Sequence, residues 1–184
     1  VEEHNGPSEI GTLFLSAPYR GGENGKLLSR SRFMFMADHL GLFEKKVIAE
    51  LRGVIDRRGR SPFWEAVGRH FFNMDFPKAD LLSMHSKTFM AELMPRHPLY
   101  VPLLPEKARE VIGQVHPWTV PARRLLEAEG FADDGTVDIF EAGPTVSCQT
   151  RKIRTVVQSR CSNIIGVQDA IGHDQNHLMS NRGF

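Results

Sequence analysis

Cysteine is scarce: the 184-residue chain carries two, Cys148 and Cys161, both late in the sequence. A secreted scaffold stapled by disulfides needs more, so a reducing compartment, the cytoplasm, is expected, with both residues as ordinary thiols. Long apolar runs are also lacking, and none approaches the roughly 20 residues that span a bilayer. Net charge is +1 at pH 7, which gives no reason to expect nucleic acid or an acidic membrane surface as a partner. The first residues, "VEEHNGPSE", are acidic and polar, unlike a secretory signal, and no initiator Met precedes them. A processed chain or an excised fragment is expected. No internal repeat is found.

Core-forming residues are plentiful. Apolar residues make up 41 % and charged ones 24 %, the balance of a globular domain. The expected organisation is one core over residues 1–160, followed by a polar, Asn/Gly/His-rich tail over 161–184. "EIGTLFLSA" (9–17) reads as a strand ending at Pro18. From Asn24 to about His39 the pattern is helical, with Leu27, Leu28, Ser31 and Phe35 on one face. A second strand is expected over 46–53, and Ser61-Pro62 has the cap and first-turn proline of a helix carrying Phe63, Trp64, Val67 and Phe71. Short helices or turns and a proline-punctuated loop fill 72–105. Helices follow over 105–115 and 120–131, the latter stopped by Gly130, and then a strand over 135–143. This order is α/β, a mixed sheet flanked by helices.

The turn between the first strand and first helix, "YRGGENG" (19–25), has three glycines in five positions. A strand that ends in such a turn and starts a helix aims several N–H groups at one spot, where the helix adds about half a positive charge. That makes a phosphate cradle, although a plain glycine turn accounts for the residues equally well. A Walker-type ATP loop is excluded because Lys26 is wrongly spaced and no Ser or Thr follows it. The Rossmann glycine spacing fails as well. "HDQNH" puts His173 and His177 four apart, a metal-holding spacing on a helix, but it lacks the Glu of a zinc-protease motif and lies in the polar tail. No metal site is assigned there.

The "YRGGENG" turn resembles the diphosphate loop of GNAT-type acyltransferases, and "ARRLLEAEGF" is similar to a later helix of that superfamily. Longer blocks are more specific: "GTLFLSAPYRGG", "NGKLLSRSRFMFMA", "VIAELRGV", "GRSPFWEAVGRHFFNMDF", "FMAELMPRHPLYVPLLP", "VIGQVHPWTVPARRLLEAEGF" and "VDIFEAGPT". In that order they resemble the arginine N-succinyltransferases over about residues 9–160. The resemblance implies a GNAT-like acyl-CoA transferase fold in which the family's N-terminal part is missing from this chain. It also implies transfer of a succinyl group from succinyl-CoA to the α-amino group of L-arginine, the first step of arginine catabolism by the succinyltransferase pathway. Related subunits in some members also act on ornithine. A homo- or hetero-oligomer with related subunits is expected, and no permanently bound cofactor, with succinyl-CoA as co-substrate. The alternative is a catalytically silent fragment or subunit with an assembly or regulatory role.

Residue by residue, the resemblance makes His116 of "GQVHP" the proton donor and Leu13 of "TLFL" a succinyl-CoA contact. Arg20, Gly21, Gly22, Asn24 and Gly25 form the implied diphosphate loop, and Glu23 stands where that loop's pattern has a glycine. Amide formation from a thioester needs a neutral amine, a polarised carbonyl and a proton for the thiolate. An imidazole titrating near ~6.5 supplies that proton. Without the family block, His116 would read as a packed histidine before Pro117. A backbone N–H beside Leu13 is expected to polarise the carbonyl, because the strand should splay next to the loop. Arg52, Arg69, Arg96, Glu50 and Glu92 are candidates for the charged ends of the two substrates, and each has a surface or structural reading too.

Overall fold

The computed structural model describes residues 6–83, 93, 95, 97–163 and 166. Its centre is a four-stranded mixed sheet built from β1 (Ser8–Glu9), β2 (Lys46–Glu50), β3 (Ala132–Val137) and β4 (Pro144–Gln149). The strand order is β1-β2-β4-β3. β1 and β2 are parallel, Ser8 opposite Val47 and Glu9 opposite Ile48. β2 runs antiparallel to β4 from Lys46↔Gln149 to Glu50↔Thr145, and β3 pairs antiparallel with β4 across an irregularity between Asp133 and Val137.

Helix α1 (Asn24–Asp38) is the crossover from β1 to β2. Because it returns the chain to the start of a parallel strand, its N-terminus lies on the side of the sheet where β1 and β2 end. Its buried stripe is Ser29, Phe33 and Met36, spaced four and three apart. The face with Leu27, Leu28 and Phe35 stays substantially exposed, Leu27 by 50 %. The expected inward face was therefore turned. The short helix α7 (Arg154–Gln158) packs on α1. Phe33 and Met36 join Val47, Ala49, Leu51, Val146, Leu126, Phe131 and Ile153 in the larger core. Leu126 comes from α6 (Val120–Glu127). At the end of α6 the buried Glu129 carboxylate accepts from Arg154 Nη2 at 2.6 Å and from the Thr155 N–H at 2.7 Å, with Arg30 Nε at 3.6 Å. This network joins α6, α7 and α1, and its two guanidinium groups compensate the burial of the charge.

A second core packs around Trp64, with Phe72, Phe76, Ala79 and the Phe140 ring. Ser61 caps α2 (Pro62–Ala66) as its residue type predicts, accepting from the Trp64 N–H at 3.2 Å. The single helix expected there is two, α2 and α3 (Gly68–Phe72), because Val67 leaves helical geometry (φ −125°, ψ −73°) to bury its side chain. α4 (Phe76–Ser83) follows, and α5 (Glu106–Val111) is shorter than expected, ending where Gly113 takes φ +73°.

Two strand expectations need correcting. The first strand does not run over 9–17: its last ladder bond is Ile10 N–H to Ile48 O, and Thr12 at φ +54° turns the chain away. The strand expected over 135–143 straddles a turn. Asp138 Oδ2 accepts the N–H groups of Phe140 (2.9 Å) and Glu141 (2.7 Å), and that side-chain cap folds "DIFEAG" back between β3 and β4. β4, the strand beside β2, was missed. Among the described residues no helix is long and apolar enough to cross a membrane.

Candidate active site

The segments singled out from sequence follow the carboxyl ends of β1 and β2. On one side stands the glycine turn. Gly21 (φ +121°) and Gly22 (φ +54°) both take backbone geometry that favours glycine, and they reverse the chain into α1. No side chain caps the start of α1, so the first-turn N–H groups of Asn24, Gly25 and Lys26 point out of the helix end. The loop is braced from behind: Arg20 Nε donates to Leu15 O at 2.8 Å, and Asn24 Nδ2 donates to Tyr19 O at 3.1 Å. Arg20 also lies over the Phe14 ring, 5.7 Å from its centre. Glu23 occupies the N-cap with φ −97°, a geometry that requires no glycine, and its carboxylate pairs with Lys26 Nζ at 2.9 Å. That side chain is 75 % exposed.

Leu13 is half-buried in the segment that has left the sheet. Its N–H has no acceptor among the described residues. In place of a strand that splays beside the loop, β1 stops at Glu9, short of Leu13, whereas β2 continues to Glu50 and Leu51 N–H bonds Pro144 O at 3.1 Å.

His116 is half-buried and anchored by its backbone, whose N–H donates to Arg52 O at 2.8 Å. The Trp118 N–H donates to His116 Nδ1 at 3.2 Å, so the proton of the neutral ring sits on Nε2. The Trp118 ring meets the imidazole edge-on at 5.3 Å between centres and is itself 89 % exposed.

At the end of β2 lies a cleft of about 510 Å³ lined by Thr12, Glu50, Arg52, Asp80, Asp138 and Glu141, with Leu51, Phe76 and Phe140. Of the charged candidates read from sequence, Glu50 and Arg52 reach it. Arg69 does not, being paired with Glu65 and Asp75. Glu92, Arg96, His173 and His177 lie outside the described residues. Asp80, Asp138 and Glu141 were missed by sequence reasoning. The signal for Asp138 and Glu141 was an acidic pair inside a block read as a strand, and it becomes legible only once Asp138 is seen to cap a turn.

Glu141 is 9 % exposed. Its Oε1 accepts the Gly53 N–H at 3.2 Å and lies 3.6 Å from Arg52 Nε, while its Oε2 is buried with no hydrogen-bond partner among the described residues. Burial pushes the Glu141 carboxyl up to about 7, against the pull of Arg52 and aided by repulsion from Asp138. Burial likewise pushes Asp138 up to about 6, opposed by its two backbone hydrogen bonds and reinforced by Glu50 and Asp80. Among the described residues no group of three metal-ligating side chains is gathered.

A mixed sheet whose β1–α1–β2 unit brings a glycine turn and a bare helix start to the strands' carboxyl ends defines the class: a GNAT-like acyl-CoA transferase fold. A solved structure, arginine/ornithine succinyltransferase subunit AI from Pseudomonas aeruginosa, superposes with a TM-score of 0.73 and 38 % identity, covering 83 % of this chain and 43 % of that one. Residues 1–155 match the model of the arginine N-succinyltransferase beta subunit family, and the chain belongs to that family. It is 52 % identical over 179 residues to arginine N-succinyltransferase subunit beta of Pseudomonas aeruginosa, covering 96 % of this chain and 52 % of that protein. Against arginine N-succinyltransferase of Yersinia pestis it is 54 % identical over 164 residues, covering 89 % of this chain and 47 % of that protein. The chain thus spans about half the length of the curated relatives it matches.

Proposed function

We propose that the protein transfers the succinyl group of succinyl-CoA to the α-amino group of L-arginine, in the cytoplasm, within an assembly of like or related subunits. The core up to about residue 160 carries the reaction. The observation behind this reading is the convergence at the carboxyl ends of β1 and β2. The uncapped start of α1, the unengaged Leu13 N–H and His116, tied to Arg52 just beyond β2, all belong to that side.

In this reading the N–H groups of the loop Arg20–Gly25 and of the first turn of α1 hold the diphosphate, and the Leu13 N–H polarises the thioester carbonyl. The neutral amine attacks the carbonyl carbon, the C–S bond breaks, and the thiolate takes a proton from His116. The amine nitrogen gives its own proton to solvent or a carboxylate. To release a full proton the imidazole must be charged, and a charged ring cannot accept at Nδ1. Protonation therefore couples to loss of the Trp118 N–H bond.

Thiol release from succinyl-CoA that requires L-arginine is the test. Release dependent on arginine supports the proposal, and its absence in a protein that still binds succinyl-CoA overturns it. The second outcome supports the other reading, a catalytically silent subunit with an assembly or regulatory role. The Glu23 carboxylate in the turn favours that reading, since it is an unfavourable neighbour for a diphosphate.

A further inference from the structure

By its place in the chain Arg20 belongs to the diphosphate loop, but its side chain turns back onto the segment before that loop. Residues 11–15 have left the sheet: the last ladder bond is made by Ile10, and Thr12 at φ +54° turns the chain off the strand. Among the described residues a single hydrogen bond holds that stretch, from Arg20 Nε to Leu15 O at 2.8 Å. The same guanidinium lies across the Phe14 ring, 5.7 Å from its centre, so it engages two successive residues. Asn24, the first residue of α1, donates from Nδ2 to Tyr19 O at 3.1 Å and ties the helix start to the turn that ends at Arg20. Leu13 is therefore held between Ile10 at the sheet and Arg20 beside the start of α1.

The demand on Leu13 is geometric. A peptide N–H polarises a carbonyl only when it lies within about 3 Å of the oxygen and is aimed at it. Backbone without ladder bonds keeps too much conformational freedom to hold such an aim by itself. The charged donor on Leu15 O supplies a restraint at the residue next but one to Leu13.

We propose that Arg20 is a positioning residue: its side chain fixes residues 11–15 so that the Leu13 N–H meets the thioester carbonyl while the glycines and the start of α1 hold the diphosphate. The proposal rests on the reading of the protein as an acyltransferase in which the Leu13 N–H polarises that carbonyl. Two tasks are thereby divided within one loop. Exposed backbone binds the coenzyme, and the Arg20 side chain sets the distance from there to the reacting carbonyl. Affinity for coenzyme A, which has no acyl carbonyl, is then indifferent to the Arg20 side chain, and the chemical step is not.

The bond itself selects the variants. Arg20 donates from Nε, and the amide nitrogen of glutamine stands the same number of bonds from the backbone. Arg20→Gln thus keeps the donor and loses the charge, whereas Arg20→Ala loses both. Arg20 is exposed, so neither change disturbs a core.

The experiment combines arginine-dependent thiol release, calorimetric titration with coenzyme A, and infrared difference spectra of bound succinyl-CoA labelled with ¹³C at the thioester carbonyl. Arg20→Ala should lower kcat about 10-fold, the effect of one charged hydrogen bond, with coenzyme A affinity within about twofold. Its bound carbonyl stretch should move back toward that of free succinyl-CoA. Arg20→Gln should keep kcat within about threefold of wild type and retain the wild-type stretch. Phe14→Leu, which removes the ring and leaves Arg20 in place, should lower kcat by about 2- to 5-fold. Coenzyme A affinity reduced about 10-fold or more in both Arg20 variants would make the guanidinium a phosphate ligand and overturn the proposal. So would wild-type kcat and carbonyl stretch in Arg20→Ala, or an Arg20→Gln protein as impaired as Arg20→Ala. Failure of the underlying reading shows in the wild type itself, as no arginine-dependent release and a bound carbonyl stretch equal to that of free succinyl-CoA, and it takes the proposal with it.

Discussion

The glycine turn and the acidic cleft lie at the same end of the sheet, yet they are made in opposite ways. The turn is one continuous stretch, Tyr19–Gly25, and its chemistry is that of exposed backbone: two glycines at positive φ and a helix start with nothing capping it. The cleft is collected from Thr12, the end of β2, α4 and the β3–β4 turn, and its chemistry is that of side-chain charge, with Glu141 buried and Glu50, Arg52 and Asp80 exposed. A site made of local backbone tolerates side-chain change, because the N–H groups stay whatever the residue is. A buried carboxylate such as Glu141 depends on each neighbour, because desolvation sets both the cost of the charge and its proton affinity.

The sharpest way to break the cleft without touching its carboxylates is Gly143→Ala. A Cβ there would fall 2.0 Å from Leu51 O and 2.6 Å from the Gly53 nitrogen, both backbone atoms that cannot step aside. We expect a loss of about 3 kcal/mol or more in urea unfolding, with the register of β2 on β4 disturbed. The same change at Gly25, inside α1 and facing open space, should be neutral or stabilise by up to about 1 kcal/mol.

Next in size is His116→Ala, expected to lower kcat about 100-fold or more with succinyl-CoA binding nearly unchanged, as steady-state thiol release and titration would report. Near wild-type turnover would remove His116 from the mechanism.

The buried carboxylates also set a pH dependence. Folding raises the Glu141 carboxyl to about 7 from an ordinary value of 4.5, so between these values the folded chain holds a proton that the unfolded chain has released. Stability from this group is full below about pH 4.5 and is lost as pH rises through about 7, by roughly 2–3 kcal/mol. Asp138, raised to about 6, adds in the same direction, and Arg52 opposes while Glu50 and Asp80 face the pair. Melting temperature should therefore fall from pH 4.5 to 7 with this contribution, and Glu141→Gln should flatten the fall. An identical profile in the variant would mean that Glu141 titrates normally.

The smallest effect belongs to the turn. From sequence, a carboxylate beside a diphosphate and a lost glycine predict that Glu23→Gly tightens succinyl-CoA binding by roughly 5- to 150-fold. The structure reduces that. Glu23 already has an ordinary φ, faces solvent and is paired with Lys26. A gain of about threefold or less, growing slightly at low salt, is now expected by calorimetry. A gain above tenfold would show that the carboxylate faces the ligand when it binds.

How far the sequence could be read follows the same division. Ser61 as a cap, Gly130 after α6, the start of α1 at Asn24 and the strand Lys46–Glu50 were legible because each depends on neighbours a few residues away. The buried stripe of α1, Ser29, Phe33 and Met36, was not, since what α1 packs on includes α7 from the other end of the chain. Nor was the turn at 138–143: its apolar residues look like a strand until Asp138 takes two N–H groups of its own loop.

By itself the sequence determined the glycine turn before α1, the strand Lys46–Glu50, the capped start of α2 and, through its blocks, the family. Those are properties of local spacing and residue type. Only the tertiary structure decided that Thr12 would turn the first strand off the sheet, that Arg52 would hold His116 by a backbone bond, and that Glu141 would end with one oxygen buried and without a partner among the described residues. These depend on segments up to 88 residues apart, as Gly53 and Glu141 are. Burial and electrostatic coupling arise only when the fold brings such segments together, and no local pattern encodes them.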